Sequence, residues 1–334
     1  MVGADPAIVT ALGLDPTMTT AHAHGGSGFS STFRVTGHQV GTAKDVQYFI
    51  KTGTGPEAAV MFRGEFASLN AIADSVPLFC PRAHAHGPLQ DRTSGYFLAT
   101  EYLDLGRSSA GAGSGRSFAS KLAEMHLKEA TVQGPNGERF GFPVPTCCGA
   151  TEQDNSWASS WADFYAECRL RHVLRVGLRN NGPDTGLAEA VERTATVVVP
   201  RLLRDSHLQR SMQRGGGDIA AVVVHGDLWD GNHGWGRIVR PDGSSDSEEV
   251  VYDPACVYGH SEYELGIMRM FGGFGRDFWS EYGQLVPKDE PVGEWEDRLQ
   301  LYELYHHLNH FALFGGGYRS GAMSIMQKVL TKYG

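Results

Sequence analysis

The first hundred residues carry two patterns of hydrophobic and polar positions, one typical of strands and one typical of a helix. Side chains of Val46–Lys51 point alternately to opposite faces of an extended chain, which puts Lys51 on the same face as Phe49. Residues Pro56–Ser75 repeat apolar positions at helical spacing after an initial proline, which predicts an amphipathic helix. Gly95–Leu103 has the apolar run of a buried strand.

Beyond residue 117 the dominant period is helical. The predicted helices cover Arg116–Lys128, Asn155–Gly177, Leu187–Leu208, Glu262–Met270, Trp295–Phe314 and Tyr318–Lys332. Two apolar runs, Ile219–Val224 and Glu249–Tyr252, predict strands, with a hairpin turn within Arg237–Glu249. The segment Thr131–Thr151 is rich in Gly and Pro and is expected to be irregular.

A segment rich in glycine and serine, residues 104–117, predicts a domain boundary. The chain has 334 residues, more than one typical hydrophobic core supports, so two domains are expected. The pattern therefore predicts an α+β protein. Its smaller, sheet-rich domain would span residues 1–103, and its larger, helical domain residues 104–334.

Composition and charge exclude several classes of protein. Apolar residues make up 41% and charged residues 20%, as in soluble globular proteins. A net charge of −9 is opposite in sign to that of a nucleic-acid-binding surface. No run approaches the ~20 apolar residues of a membrane span, and the N-terminus lacks the pattern of a secretory signal. Five cysteines without a disulfide spacing favour the reducing cytoplasm.

The strongest candidate for chemistry is the segment His225–Asn232, which follows the apolar run ending at Val224. Asp227 and Asn232 are five residues apart, as are the catalytic Asp and the metal-binding Asn of the protein-kinase catalytic loop. Asp253 follows the next predicted strand, where that template has its metal-binding carboxylate. Each residue alone is common in turns. Their combination after two predicted strands favours a catalytic site over a simple turn.

Phosphoryl transfer requires such a set of side chains. One carboxylate accepts the proton of the attacking hydroxyl, while oxygen ligands hold Mg²⁺ against the phosphates. The predicted base is Asp227, and the predicted metal ligands are Asn232 and Asp253. On the predicted helix Pro56–Ser75, Glu65 lies within the apolar stripe, where a carboxylate is costly unless it is paired. Lys51 on the neighbouring strand is the candidate partner.

Several motifs closely resemble those of the fructosamine kinase family, the ketosamine-3-kinases. The resemblance covers most of the chain, from about Gly25 to the C-terminal helices. The motifs are His225–Asn232, Tyr252–Ala255, Tyr258–Leu265, Phe271–Phe274, Phe62–Leu69 and Thr146–Gly149. His-Gly-Asp alone would indicate only the wider group of small-molecule kinases, whereas Trp229 and Tyr258–His260 narrow the resemblance to this family.

The resemblance implies a two-lobed, protein-kinase-like fold that binds ATP and Mg²⁺. It decides in favour of a pair between Lys51 and Glu65, with Lys51 on the phosphates. A glycine-rich loop would contact the phosphates through Gly25, Gly26, Ser27 and Gly28, although by itself this loop is a weak signal. The backbone of a hinge would hold the adenine through Glu101, Tyr102 and Leu103.

The resemblance also implies the reaction. A ketosamine, which is a sugar adduct of a lysine or protein amine such as fructoselysine or ribuloselysine, would be phosphorylated at its O3 hydroxyl and would then release the amine. This is protein deglycation. Trp229 and His260 are the candidate contacts with the acceptor. Glu262 and Glu264 lie close by, but acids are also frequent in the first turn of helices, where they cap the helix.

Other interpretations remain open at this point. A choline-like or aminoglycoside-like acceptor would use the same catalytic residues, and a nucleotide-binding scaffold without turnover belongs to a different class. Some members of the resembled family carry a cysteine where this chain has Phe29, so no redox switch is expected there. We expect a monomer or weak dimer. The sequence does not determine which ketosamine is preferred, nor whether it is free or bound to protein.

Overall fold

The structure is a computed structural model, and it describes residues 3–26, 31–41, 44–106, 116–240 and 244–334. The α-helices in this part of the chain are α1 Pro6–Ala11, α2 Pro56–Ser75, α3 Phe118–Leu127, α4 Trp161–Phe164, α5 His172–Asn181, α6 Thr185–Arg193, α7 Val199–Leu203, α8 Glu262–Phe271, α9 Arg276–Leu285, α10 Trp295–Phe314 and α11 Tyr318–Tyr333. The strands are β1 Thr20–Gly26, β2 Ser31–His38, β3 Asp45–Thr54, β4 Ala83–Pro88, β5 Gly95–Leu105, β6 Thr146–Cys148, β7 Thr151–Gln153, β8 Val222–Val224, β9 His233–Val239, β10 Ser245–Val251 and β11 Val257–Gly259.

The chain forms two compact units. The first unit comprises Met1–Lys121 and Asn232–Pro254. Its strands form one antiparallel sheet in the order β1-β2-β3-β5-β9-β10, with β4 also paired to β5. Helix α2 packs on β3, β4 and β5. Alternate side chains of β3, among them Tyr48 and Ile50, are buried in a core with α1, so the opposite face of β3 presents Lys51.

The second unit comprises Leu122–Gly231 and Ala255–Gly334 and is mainly helical. Helix α10 contacts α5, α8 and α11, and most of its apolar residues are buried, as its sequence pattern predicts. Two short sheets complete the unit, β8 with β11 and β6 with β7. The pairing of Val224 with Val257 fixes the strand that leads into the segment His225–Gly231.

The predicted α+β class agrees with these elements, and several helix bounds were predicted correctly. The helices α2 and α10 have the predicted ends, and α8 and α11 differ from the predictions by one residue each. The predicted helix Asn155–Gly177 instead begins at Trp161 and includes a π-helical segment, Tyr165–Arg171. Helix α9 was not predicted, and β6 begins within the segment expected to be irregular.

The two units differ from the predicted domains. The first unit extends past Leu103 to Lys121 and also includes Asn232–Pro254, because β9 pairs with β5 through Tyr102 and Val239. This pairing brings the hairpin β9–β10 into the sheet of the first unit. Among the helices of the described residues, none is long and apolar enough to cross a membrane.

Candidate active site

In the first unit, Lys51 contacts two carboxylates. Its Nζ lies 2.6 Å from Glu65 Oε1 and 2.5 Å from Asp253 Oδ1. Strand β3 supplies the lysine, α2 supplies the glutamate, and Asp253 follows β10 in the chain. Lys51 and Glu65 are nearly buried, whereas 53% of the Asp253 side chain is exposed. The predicted Lys51–Glu65 pair is therefore present, and Asp253 joins it.

The electrostatics of this cluster follow from burial and charge. Burial alone would lower the pKa of Lys51, but Glu65 and Asp253 together raise it above its ordinary value. Burial raises the pKa of Glu65, which the charge of Lys51 opposes. The lysine therefore stays charged at neutral pH, which suits a group that fixes phosphate oxygens.

Asp253 has a backbone conformation that few residues adopt. Its φ is 55°, in the left-handed region that Asp tolerates better than most side chains do. The chain turns here immediately after β10, so the carboxylate is set by the backbone and by Lys51 rather than by a flexible loop. A carboxylate that is held in this way and is half exposed to solvent is suited to bind a cation.

A cavity of about 470 Å³ lies in the second unit, and one of about 400 Å³ lies in the first. The cavity in the first unit is lined by Lys51, Glu65 and Asp253 together with apolar side chains that include Leu69, Pro81 and Leu103. A pocket with mostly apolar walls and a few charged groups at one end matches a nucleotide, with the base on the apolar walls and phosphates at Lys51.

The predicted hinge residues differ in their positions. Tyr102 and Leu103 line this cavity. Glu101 does not line it: its backbone N–H donates to Arg82 O at 2.9 Å, and its side chain accepts from Arg82 N–H at 2.9 Å. The N–H of Glu101 is therefore engaged within the protein, and the contact of the Glu101 backbone with an adenine stays a prediction.

Only part of the predicted glycine-rich loop can be located. Gly25 and Gly26 end β1, which pairs with β2 through Gly26 and Ser31. Ser27 and Gly28, like Phe29, lie outside the described residues. The contact of this loop with phosphates stays a prediction.

In the second unit, Asp227 lies in a segment with a fixed backbone. Gly226 has a φ of 81°, and a Cβ atom there would lie 2.2 Å from Ala255 O, so only glycine fits. The Ala255 N–H donates to His225 O at 2.8 Å. The thiol Sγ of Cys148 lies 3.5 Å from Asp227 Oδ1. The carboxylate of Asp227 is thus held by backbone geometry and by a buried side chain.

A second carboxylate, that of Glu264, holds the backbone of this segment in place. It accepts from the N–H groups of His225 at 2.5 Å and Gly226 at 3.0 Å, and it is fully buried. His126 Nε2 lies 3.7 Å away. Sequence reasoning assigned no role to Glu264, because an acid in the first turn of α8 is equally compatible with capping. Its spacing from the catalytic segment gave no signal, since the two lie 39 residues apart.

The two predicted acceptor contacts have different surroundings. The Trp229 side chain is 41% exposed, and the backbone N–H of Trp229 donates to the backbone carbonyl of Asp227 at 3.1 Å. His260 is 1% exposed, and both ring nitrogens have partners, Tyr302 Oη at 2.8 Å and Asp289 Oδ2 at 2.9 Å. These contacts do not support the predicted contact of His260 with an acceptor. They make His260 part of a buried polar network.

Glu262 belongs to the same network. Its carboxylate accepts from Arg298 Nε at 2.7 Å and from the Asp289 N–H at 3.0 Å. His260, Glu262 and Asp289 also bring one ligand atom each within 4.8 Å of one another. Arg298 forms an ion pair with Glu262, and Arg214 forms one with Asp289. Cations of the protein therefore already neutralise these carboxylates. The cluster is a buried ion-pair network.

The predicted metal ligands are oxygen donors in the first unit. Asn232 is buried, and its backbone carbonyl accepts from the Tyr252 N–H at 3.1 Å, one residue before Asp253. This bond ties the two ends of the hairpin β9–β10 together. The amide oxygen of Asn232 and the half-exposed carboxylate of Asp253 are hard oxygen donors of the kind that Mg²⁺ prefers.

The chain as a whole is similar to proteins of one family. The family model for fructosamine kinase matches residues 8–332. The ketosamine-3-kinase of Mus musculus is 35% identical over 84% of this chain and 87% of its own length. The chloroplastic protein-ribulosamine 3-kinase of Arabidopsis thaliana is 35% identical over 85% of this chain and 76% of its own length.

A crystal structure of a Thermobifida fusca protein assigned to the fructosamine-3-kinases aligns with a TM-score of 0.72. The sequences are 25% identical, and the alignment covers 99% of this chain and 100% of the other. The predicted protein-kinase-like α+β fold is thereby confirmed. The chain belongs to the fructosamine kinase family.

Proposed function

We propose that this chain is an ATP-dependent ketosamine kinase, which transfers the γ-phosphoryl group of ATP to the O3 hydroxyl of a sugar adduct on an amine. Family membership supports the acceptor class, since the mouse and Arabidopsis relatives are named for ketosamine and protein-ribulosamine. The observation that carries the proposal is the position of Lys51 Nζ, 2.6 Å from Glu65 and 2.5 Å from Asp253 in a cavity of nucleotide size.

Within this mechanism Lys51 binds phosphate oxygens, and Glu65 orients Lys51. Asp227 accepts the proton of the acceptor hydroxyl as the new O3–P bond forms and the bond between the γ-phosphorus and the β-phosphate oxygen breaks, which releases ADP. Asn232 and Asp253 would hold Mg²⁺, which when bound neutralises charge on the phosphates. The 3-phosphorylated ketosamine then decomposes and frees the amine.

The first experiment measures ATP consumption with fructoselysine, ribuloselysine, choline and an aminoglycoside, followed by ³¹P NMR of any product. An O3 phosphate on either ketosamine supports the proposal and indicates the preferred sugar. Turnover of choline or the aminoglycoside alone would contradict it. Asp227→Asn is the matched variant: kcat is expected to fall by about 10³-fold or more with an unchanged melting temperature. Near-normal turnover would remove Asp227 from its role.

ATP bound without turnover of any acceptor would instead favour a nucleotide-binding scaffold. The partners we propose are ketosamine small molecules or glycated proteins, without nucleic acid or membrane. Cytoplasmic location is proposed from the five cysteines, all of them among the described residues, since none forms a disulfide. A monomer or weak dimer is the proposed assembly, and light scattering after gel filtration would test it.

A further inference from the structure

Three large apolar rings of the second unit, one of them in the catalytic segment, are exposed to solvent. Trp229 is 41%, Phe271 43% and Phe314 65% exposed. They are nevertheless linked through ring contacts, which we call the ring row: Trp229, Phe271, His310, Phe314 and Tyr318. Its successive centroid distances are 6.0 Å from Trp229 to Phe271, 5.2 Å from Phe271 to His310, and 5.7 and 5.0 Å from His310 to Phe314 and Tyr318. Three exposed rings joined by the partly buried His310 and Tyr318 form an aromatic surface of the kind that marks an interaction site.

The ring row begins at the catalytic segment itself. The Trp229 ring folds over Gly231, where an added Cβ would lie 2.1 Å from a ring carbon, so the indole is fixed two residues from Asp227. The turn that follows Phe271, the last residue of α8, packs closely against this segment as well, because a Cβ at Gly273 would lie 2.5 Å from Asp230. All of these residues belong to the second unit. The row is therefore a continuation of the proposed acceptor site.

The far end of the row lies where α10 ends and α11 begins. His310 joins the two ends, and its Nδ1 lies 2.8 Å from the carbonyl oxygen of His306. A carbonyl only accepts, so Nδ1 carries the proton. Burial lowers the pKa of His310, so the ring is neutral near pH 7. Arg319, the nearest cation in the sequence of α11, is paired with Asp184. The row is thus an uncharged aromatic surface.

The chemistry of a ketosamine determines what such a surface can bind. If the sugar O3 reacts at Asp227, the substituent on the amine extends away from the sugar. Free lysine ends in an ammonium and a carboxylate, which lose hydration on an uncharged aromatic surface. With steps of 6.0, 5.2 and 5.0 Å, the row extends at most about 16 Å, the length of about five extended residues rather than one.

We infer that the ring row binds apolar or aromatic residues that flank the modified lysine when the ketosamine is carried on a polypeptide. The inference rests on the proposed function and adds a binding surface for the residues beside the modified lysine. Flat, rigid aromatic side chains bind many apolar sequences with little loss of conformational entropy, so the surface suits varied polypeptides.

The test compares three acceptors: free fructoselysine, a peptide of about seven residues with Leu and Phe beside the fructosyl-lysine, and the same peptide with Ser in those places. Phe314→Ala removes the most exposed ring of the row, and Tyr318→Ala is the second variant. Leu285→Ala is the matched control, because it removes an apolar side chain that is 42% exposed at the end of α9.

We expect the wild type to have a higher kcat/KM for the apolar peptide than for the Ser peptide. Phe314→Ala is expected to raise KM for the apolar peptide and so lower kcat/KM about tenfold. The kcat/KM for free fructoselysine and the KM for ATP should stay within twofold of the wild type. Leu285→Ala should change none of these. Equal losses on peptide and free fructoselysine, or no loss on the peptide, would overturn the inference.

Three other results are informative. If Phe314→Ala changes the oligomeric state and leaves peptide kinetics unchanged, the row is a contact between two copies of the chain and the inference is wrong. If the wild type phosphorylates fructoselysine but no peptide, only the inference fails. If it phosphorylates no ketosamine at all, the proposed function fails and the inference fails with it.

Discussion

The carboxylate of Glu264 accepts the backbone N–H of His225 at 2.5 Å, two residues before Asp227. It also accepts the Gly226 N–H at 3.0 Å, so one buried side chain satisfies two buried donors of the catalytic segment. Buried N–H groups without partners are costly. Glu264 therefore links the position of α8 to the position of the proposed base.

Replacement of Glu264 is expected to affect both folding and turnover. Glu264→Ala leaves two buried N–H groups unpaired and should lower the free energy of unfolding by roughly 2–4 kcal/mol. Glu264→Gln keeps one acceptor oxygen, so the expected loss of stability is smaller, while kcat falls about tenfold as the segment shifts. Urea denaturation and steady-state kinetics measure the two effects. Glu296→Gln, an exposed partner of Arg269, is the control and should change neither.

The Lys51 cluster predicts non-additive effects on catalysis. Lys51→Met should lower kcat/KM for ATP by about 10²–10³-fold, because it removes the cation that fixes the phosphates. Glu65→Gln should lower kcat/KM for ATP by a smaller factor, since Asp253 still contacts Lys51. If Glu65 acts only through Lys51, the double variant should be no worse than Lys51→Met alone. Additive losses in the double-mutant cycle would contradict that order of action.

Local patterns predicted much of the fold and only part of the site. The bounds of α2 followed from a proline at its start and from helical periodicity, and those of α10 from a buried apolar face. An acid within an apolar stripe needs a cation, which made Lys51 the candidate partner of Glu65, and the family resemblance then decided for the pair. These inferences use residues within one or two neighbouring elements.

The remaining features depend on contacts that sequence separation hides. The pairing of Tyr102 with Val239, which brings β9–β10 into the first unit, joins strands far apart in the chain. The contact between Cys148 and Asp227 spans 79 residues. His260 follows a strand near the catalytic segment, so its sequence position favoured an acceptor contact, yet its side chain is buried against Asp289. Direction of a side chain, unlike spacing, is decided by tertiary packing.

The buried network around Asp289 predicts how stability depends on pH. Burial would raise the pKa of Asp289, but His260 and Arg214 hold it well below its ordinary value. A carboxylate with a depressed folded pKa contributes stability above its unfolded pKa of about 4, and loses that contribution as the pH falls. Asp289→Asn should therefore be less stable than the wild type at pH 7, with a difference that shrinks below about pH 4.

Thermal unfolding of both proteins from pH 7 to pH 3 measures this difference. The control is Asp277→Asn, which removes an exposed acid in the first turn of α9 and should show a small offset that does not change in the same way. A constant difference between Asp289→Asn and the wild type down to pH 3 would show that the carboxylate of Asp289 does not lose its contribution in this range.

The contact between Cys148 and Asp227 predicts that a buried thiol positions the proposed base. Burial and the charge of Asp227 raise the pKa of the Cys148 thiol well above its ordinary value, so the thiol keeps its proton and can donate to Asp227 Oδ1 at 3.5 Å. Cys148→Ser retains a donor and should keep kcat within about threefold, whereas Cys148→Ala removes it and should lower kcat about tenfold with an unchanged KM for ATP.

A positioning role for Cys148 has a signature that a purely structural role lacks. A donor to the carboxylate favours its ionised form, so its removal should move the acidic limb of the kcat/KM profile to higher pH in Cys148→Ala but not in Cys148→Ser. Cys168→Ala, which removes a thiol 3.7 Å from the Ser156 carbonyl, should leave the profile unchanged. If the alanine variant loses only melting temperature and keeps both kcat and its pH profile, the Cys148 thiol merely fills space beside Asp227.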